Sequence, residues 1–348
     1  MRPPLPAFRR EFQASLLAWY RRHARSLPWR EAPTLYKTVV SEFMLQQTQV
    51  KTVLPYFSRW LASLPDFDAL AAAPEEQVLK LWEGLGYYSR ARNLHRLART
   101  LVALPAPPRT PEAWQELPGV GPYTAAAITS ISFSAPAACV DGNVVRILTR
   151  LTADSTRHRD SATAARALAP LATALLSADH PGDHNQAMME LGATVCLRQN
   201  PLCLTCPVRT HCAAARAGNP QEYPRLAPRT TEERQVTRLW CLHRGALLLH
   251  RASAESRRLA RLHELPTAAQ LHLTETAATQ GLLLLRRRRS ITRYVITERI
   301  HALSSPPRHL DPGLVWIPLE DLDSIALSGP HRRWIREVLA DTNPSEPA

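Results

Sequence analysis

Along the first two-thirds of the chain, apolar residues return every three or four positions, the period of a helix with one buried face. Val39, Val40, Phe43 and Met44 form one such set. Val50, Val53, Leu54, Phe57, Trp60 and Leu61 form the next, after the polar break Gln46-Gln47-Thr48-Gln49. Up to about residue 218, helix follows helix with short breaks marked by proline or glycine and no sustained two-residue alternation. Residues 219–234, NPQEYPRLAPRTTEER, hold prolines and no periodic apolar face, which predicts a linker. Beyond it, VTRLWCL, a turn at Arg244-Gly245 and ALLLH predict a β-hairpin, and SITRYVITERI and GLVWIPL predict further strands. The expected architecture is mainly α: a helical domain over 1–218, the linker 219–234, a smaller α+β domain over 235–341 and a disordered tail over 342–348.

Charge narrows the choice of partner. The 348 residues carry 43 Lys+Arg against 30 Asp+Glu, a net charge of +13. Basic residues exceed acidic ones on both sides of residue 225, as expected of two parts of one clamp on a polyanion. Lys37, Lys51 and Lys80 are the only lysines, so a mechanism that needs an amine has three candidates. Glycine, at 12 residues, is scarce; average usage would give roughly 24. No run of eighteen uncharged apolar residues exists, and the N-terminus lacks an apolar signal core, which predicts a soluble cytoplasmic protein with no membrane partner; a monomer is expected.

The cysteines are more specific. Four of the six fall in the pattern Cys196-x6-Cys203-x2-Cys206-x5-Cys212. Four thiolates around one CxxC suit a [4Fe–4S] cluster, each iron held by one sulfur. A structural zinc site is the alternative, although zinc ribbons usually pair two CxxC units across a longer loop. Cys139 and Cys241 stand among apolar residues and read as core fillers.

Two further motifs bear on chemistry. Leu117-Pro-Gly-Val-Gly-Pro-Tyr-Thr-Ala125 sits between helical patterns, and Gly119 and Gly121 predict a turn whose backbone N–H groups grip a phosphate. Cys139-Val-Asp-Gly-Asn-Val-Val-Arg146 places Asp141 just before a helix, where it is either an N-cap or a working carboxylate.

Together LPGVGPYTA, VDGNVVR and the cysteine run resemble the helix-hairpin-helix DNA glycosylase superfamily with its iron–sulfur loop. SEFMLQQTQV at 41–50, LWEGLGYYSRARNLH at 81–95 and HNQAMMELGATVC at 184–196 resemble its adenine DNA glycosylases of the MutY type. The resemblance spans residues 8–215. It implies a two-lobed helical glycosylase domain, a [4Fe–4S] cofactor, a Nudix-like C-terminal domain, and a double-stranded DNA partner containing A:8-oxoguanine or A:G mispairs. It implies monofunctional hydrolysis of the adenine N-glycosidic bond. Glu42 matches the general acid, Asp141 the carboxylate that stabilises the sugar cation, and Asn143 the residue that orients water and Asp141.

Tyr123 stands where the lyase relatives of endonuclease III type carry a nucleophilic lysine. Arg25, Trp29 and Glu190 match adenine-pocket positions, and Gln47 and Tyr87 match the pair that wedges into the duplex. In the C-terminal domain the Nudix hydrolase signature is missing, and the lesion-reading loop stands as Arg289-Ser-Ile-Thr-Arg-Tyr294, with Thr292 able to supply a hydroxyl. Two alternatives stay open: an endonuclease III-like pyrimidine-lesion glycosylase/lyase, and an iron–sulfur DNA-binding protein without chemistry.

Overall fold

The computed structural model describes residues 8–228, 230–256 and 259–342. Of the tail expected to be disordered, residues 343–348 lie outside that description. Two compact units result: one takes Met1–Ala71 and Arg96–Pro228, the other Ala72–His95 and Arg229–Ala348. Among the described residues no helix is long and apolar enough to cross a membrane.

In the first unit the described helices are α1 (Arg9–His23), α2 (Leu35–Leu45), α3 (Val50–Ser63) and α4 (Phe67–Ala72). After α5 (Glu75–Leu81) and α6 (Ser89–Ala103) come α7 (Pro111–Gln115), α8 (Pro122–Phe133), α9 (Gly142–Thr152), α10 (Ser161–Leu175), α11 (Pro181–Thr194) and α12 (Ala213–Arg216). Side-chain caps start several of them: Thr34 accepts from Lys37 N at α2, Asp141 from Val144 N at α9 and Asp160 from Thr163 N at α10. Such caps contribute roughly 1 kcal/mol each by satisfying an orphan amide. Phe12, Leu16 and Tyr20 of α1 pack with Val144, Ile147 and Leu148 of α9, Leu168 and Leu175 of α10, and Met188 and Leu191 of α11. Cys196, Cys206 and Cys212 lie against that same core.

Helix α2 departs from a one-sided pattern. Its residues from Thr38 through Met44 are all buried, polar ones included, because α3 and α8 both pack on it. A glutamate on a helix usually faces bulk water; Glu42 on α2 is buried instead.

The second unit holds two sheets. Strand β1 (Glu232–Trp240) runs parallel to β6 (Tyr294–Ala302), which pairs antiparallel with β5 (Leu283–Ile291). In the other sheet β2 (Leu242–His243), β3 (Ala246–Arg251) and β4 (His263–Glu264) are neighbours, and β7 (Leu314–Pro318) pairs with β3. Helices α5, the first part of α6, α13 (Glu275–Ala278) and α14 (Gly329–Thr342) also belong to it. Two strand readings from the sequence are revised. VTRLW does not hairpin with ALLLH: it belongs to β1 and pairs with β6, and only Leu242–His243 turns back on β3 through Arg244 and Gly245, both at positive φ. SITRYVITERI is not one strand but the end of β5, a two-residue turn at Thr292-Arg293, and β6. Thr292 adopts φ 52°, a conformation threonine rarely enters, so the sequence carries no turn signal there.

Candidate active site

A pocket of about 510 Å³ opens in the first unit between α2, α8, α11 and the loop that enters α9. Its lining brings together Arg25, Trp29, Glu42, Tyr123, Asp141, Asn143 and Glu190, seven of the residues singled out in the sequence. Gln47, Gly119 and Gly121 are in the same unit but not in this lining; Tyr87 and Thr292 are in the second unit.

Glu42 projects from α2 and is 7% exposed. Burial pushes its carboxyl up to about 7, the charge of Asp141 adds to the rise, and a hydrogen bond from Tyr123 and the charge of Arg30 work against it. The Tyr123 hydroxyl also lies 2.8 Å from Met189 Sδ. At neutral pH Glu42 therefore spends much of its time protonated, as a proton donor must.

Asp141 serves as the N-cap of α9 and as a pocket carboxylate at once. Its Oδ1 accepts from Val144 N at 2.8 Å and its Oδ2 from Asn143 Nδ2 at 2.9 Å. Burial raises its pKa, while these two donors favour the ionised form. Of the alternatives posed by the sequence the cap is present, and it fixes where the charge of this pocket-lining carboxylate points.

Glu190 has the opposite fate. It is fully buried, and burial alone would raise its pKa, but Arg25 at 2.6 and 3.0 Å and Arg30 at 3.0 Å outweigh that and hold it below the usual range. One pocket thus contains a carboxyl kept protonated and a carboxylate kept charged, the separation that lets acids and bases share a site. Trp29, 9% exposed, meets Phe57 edge-on at 5.2 Å and forms an apolar wall.

Sequence reasoning missed several supports. Asn185 accepts from Cys139 N at 3.0 Å and donates to Ser130 Oγ at 2.9 Å and Ala137 O at 2.7 Å, bracing the loop that leads to Asp141. Arg146 donates to Asn143 Oδ1 at 2.9 Å, Gly192 O at 2.7 Å and Cys196 O at 2.7 Å. Gln186, Met189 and Lys51 also line the pocket, and Lys51, at the exposed start of α3, is one of the three lysines. A β-carbon on Gly192 would lie 2.5 Å from Asn143 Cβ. Gly192→Ala is therefore expected to destabilise the first unit by about 1–3 kcal/mol through overpacking, read as a lower denaturant midpoint at unchanged slope.

The glycine turn behaves unevenly. Gly119 takes φ 76°, which requires glycine, and Val120 N donates to Leu117 O to close the turn between α7 and α8. Gly121 is extended, and a β-carbon there would meet nothing within 4 Å. The protein itself therefore does not require glycine at 121.

Around the cysteine run, burial first and then the neighbouring Cys196, Cys212 and Cys203 push the Cys206 thiol up to about 12, so the four sulfurs share one neighbourhood. Arg150, 1% exposed, donates to Cys196 Sγ at 3.3 Å and to the carbonyls of Leu197 at 2.7 Å and Arg198 at 3.0 Å. As arranged, no group of three or more His, Cys, Asp or Glu among the described residues is disposed to hold a metal ion. The donor set, four thiols beside a buried guanidinium, fits an anionic thiolate-bound group; the spacing of the sulfurs does not itself define one.

Helical hairpin, glycine turn and a carboxylate at the mouth of the following helix point to one class: residues 40–172 match the HhH-GPD superfamily of base excision DNA repair proteins. Its similarity within that class is to adenine DNA glycosylases. The mouse adenine DNA glycosylase is 48% identical over 214 residues, covering 58% of this chain and 41% of the mouse protein. That of Schizosaccharomyces pombe is 42% identical over 232 residues, covering 60% and 50%. The chain thus spans about half or less of the length of these relatives. A solved thermostable thymine-DNA glycosylase superposes with a TM-score of 0.53 at 26% identity, over 60% of this chain and 97% of that one.

Proposed function

We propose that the chain is a monofunctional DNA glycosylase that hydrolyses the N-glycosidic bond of adenine mispaired with 8-oxoguanine or guanine in duplex DNA. The observation that carries this reading is the meeting of Glu42 and Asp141 in one pocket, with Glu42 held protonated near neutral pH. The mouse and yeast relatives are adenine DNA glycosylases, whereas the structural neighbour is a thymine-DNA glycosylase, so the sequence kinship favours adenine as the leaving base.

The extruded adenine would enter between Trp29 and the Arg25–Glu190 pair, a wall plus a fixed charge suited to a flat, polar base. Glu42 donates its proton to the base and makes it a neutral leaving group. The departing bond leaves positive charge on the sugar, and Asp141, oriented by Val144 N and Asn143, stabilises it. Water completes the hydrolysis, ordered by Asn143. Tyr123 carries no amine and cannot form an imine with the sugar, which separates this chain from the lyases; it holds Glu42 in place instead.

Gly119 and the amides that open α8, together with Gly121, would approach the DNA backbone. Gln47, at φ 55°, and Tyr87 would wedge into the duplex, and the domain over 235–341, joined by the linker 219–234 to the glycosylase domain over 1–218, would act as a Nudix-like reader of 8-oxoguanine with Thr292 at its hairpin tip. The protein would work as a cytoplasmic monomer. The deciding experiment incubates purified protein with duplexes carrying A:8-oxoguanine, A:G, C:8-oxoguanine and thymine glycol:A. Free adenine from the first two alone is the expected result; release of thymine glycol with strand cleavage would favour the endonuclease III-like reading, and binding without base release the non-catalytic one.

Cys196, Cys203, Cys206 and Cys212 would hold a [4Fe–4S] cluster, which when bound supplies an anchor for the loop over 196–212. The expected result is protein that carries iron and acid-labile sulfide in equal amounts and absorbs visible light. Colourless protein with stoichiometric zinc would overturn the assignment.

A further inference from the structure

Between α5 and α6 the backbone takes an uncommon path: Gly84, Gly86 and Tyr87 have φ of 104°, 71° and 48°. Tyrosine enters the left-handed region only where its surroundings impose it. The result sorts two adjacent aromatics, since Tyr87 is left 45% exposed while Tyr88 is 3% exposed.

The segment is held from two directions. Locally, Trp82 Nε1 donates to Gly86 O at 3.1 Å, and Arg90, lying over the Trp82 and Tyr87 rings, donates to Leu85 O and Gly86 O at 3.1 Å. From the far end of the sequence, the stretch leading into α14 forms a seat. Glu83 accepts from Arg332 Nε, from Arg332 Nη2 at 3.1 Å and from Leu327 N at 3.2 Å. Tyr88 donates to Leu327 O at 2.9 Å. A β-carbon on Gly329 would stand 3.2 Å from Gly84 Cα, so the two backbones touch. Arg332 is 7% exposed and also donates to Leu322 O and, at 2.8 Å, to Ile325 O, so one guanidinium ties the seat together and ties it to Glu83.

We infer that Arg332 is a positioning residue: through Glu83 it fixes the segment 84–88 so that Tyr87 projects as a rigid aromatic that stacks on a nucleobase. The inference rests on the reading of Tyr87 as a DNA wedge. An inserted side chain offsets the loss of base stacking only when it is already ordered, because a free tyrosine would lose its own rotamer freedom on insertion. The C-terminal region therefore contributes to base extrusion through the wedge, apart from any contact it makes with the lesion.

The test uses the full chain and an A:8-oxoguanine duplex with 2-aminopurine beside the adenine, whose fluorescence rises on unstacking. At saturating protein the parent raises the signal, Tyr87→Ala loses the rise, and Arg332→Ala loses most of it while Tyr88→Phe, which deletes the bond to Leu327 O, loses part. Single-turnover excision of a bulged, already unstacked adenine should be unchanged in Tyr88→Phe. If Arg332→Ala does not fold, Tyr88→Phe decides. A full fluorescence rise in folded Arg332→Ala or in Tyr88→Phe would overturn the inference, as would a parent signal no larger than that of Tyr87→Ala. Adenine release by the parent is scored separately, so failure of the glycosylase reading is seen independently of the stacking signal.

Discussion

Replacing Glu42 by glutamine is expected to lower adenine release by roughly 10²–10⁴-fold, the usual contribution of a positioned general acid. Glutamine keeps the volume and the contact with Tyr123 but has no proton to give. The parent should slow as pH rises through about 7, where burial has moved the Glu42 carboxyl. Stability gives an independent readout with a definite sign. A carboxyl whose folded pKa lies above its ordinary 4.5 stays protonated in the folded state while the unfolded chain ionises, so raising the pH from 4.5 to about 7 favours unfolding. Glutamine never ionises and escapes that penalty. Glu42→Gln should match the parent near pH 4 and exceed it above pH 7 by up to about 3 kcal/mol, read by thermal or urea melts at the two pH values. A variant that is inactive but no more stable at pH 8 would show that Glu42 is not held protonated by its surroundings.

The second large effect belongs to Asp141. Asp141→Asn should leave α9 intact, because asparagine caps helices about as well as aspartate and its oxygen can still accept from Val144 N. It removes the negative charge facing the sugar, and release should fall by roughly 10²–10³-fold or more. The amide also cannot accept from both Val144 N and Asn143 Nδ2, so Asn143 must give up a bond or turn away from Arg146. In the parent, the acid limb of the pH–rate profile should report Asp141 and the alkaline limb Glu42; the asparagine variant should lose the acid limb. Single-turnover kinetics across pH, with circular dichroism to confirm the fold, check both statements.

Motifs carried much of the pocket. Glu42, Tyr123, Asp141 and Asn143 lie in short stretches whose residue order is itself informative, and the structure brings them to one cavity. What they lacked was their partners. Arg30 reaches Glu190 across 160 positions and Asn185 reaches Cys139 across 46, and no local period encodes such pairings. Gly192 is a helix-interior glycine whose reason, the approach of α11 to Asn143, exists only in the folded chain. The burial of Glu42 was hidden for a related cause: the apolar spacing of α2 reads as one buried face, and only the packing of α8 and α3 covers the rest. In the second unit the strands were legible as strands, but their pairing was not. A Thr-Arg turn carries no glycine or asparagine to announce itself, and β1 finds its partner in β6, beyond an intervening sheet.

The bond from Cys139 N to Asn185 has a consequence for motion. The loop over 134–141 has neither helix nor strand, yet this amide is buried and held by a side chain of α11. Releasing it requires Asn185 to give up Ser130 Oγ and Ala137 O as well, or α11 to lift away, and the latter movement would carry off Glu190 and Met189. The floor of the pocket and its far wall therefore open as one cooperative unit, and fluctuations of the loop alone are suppressed.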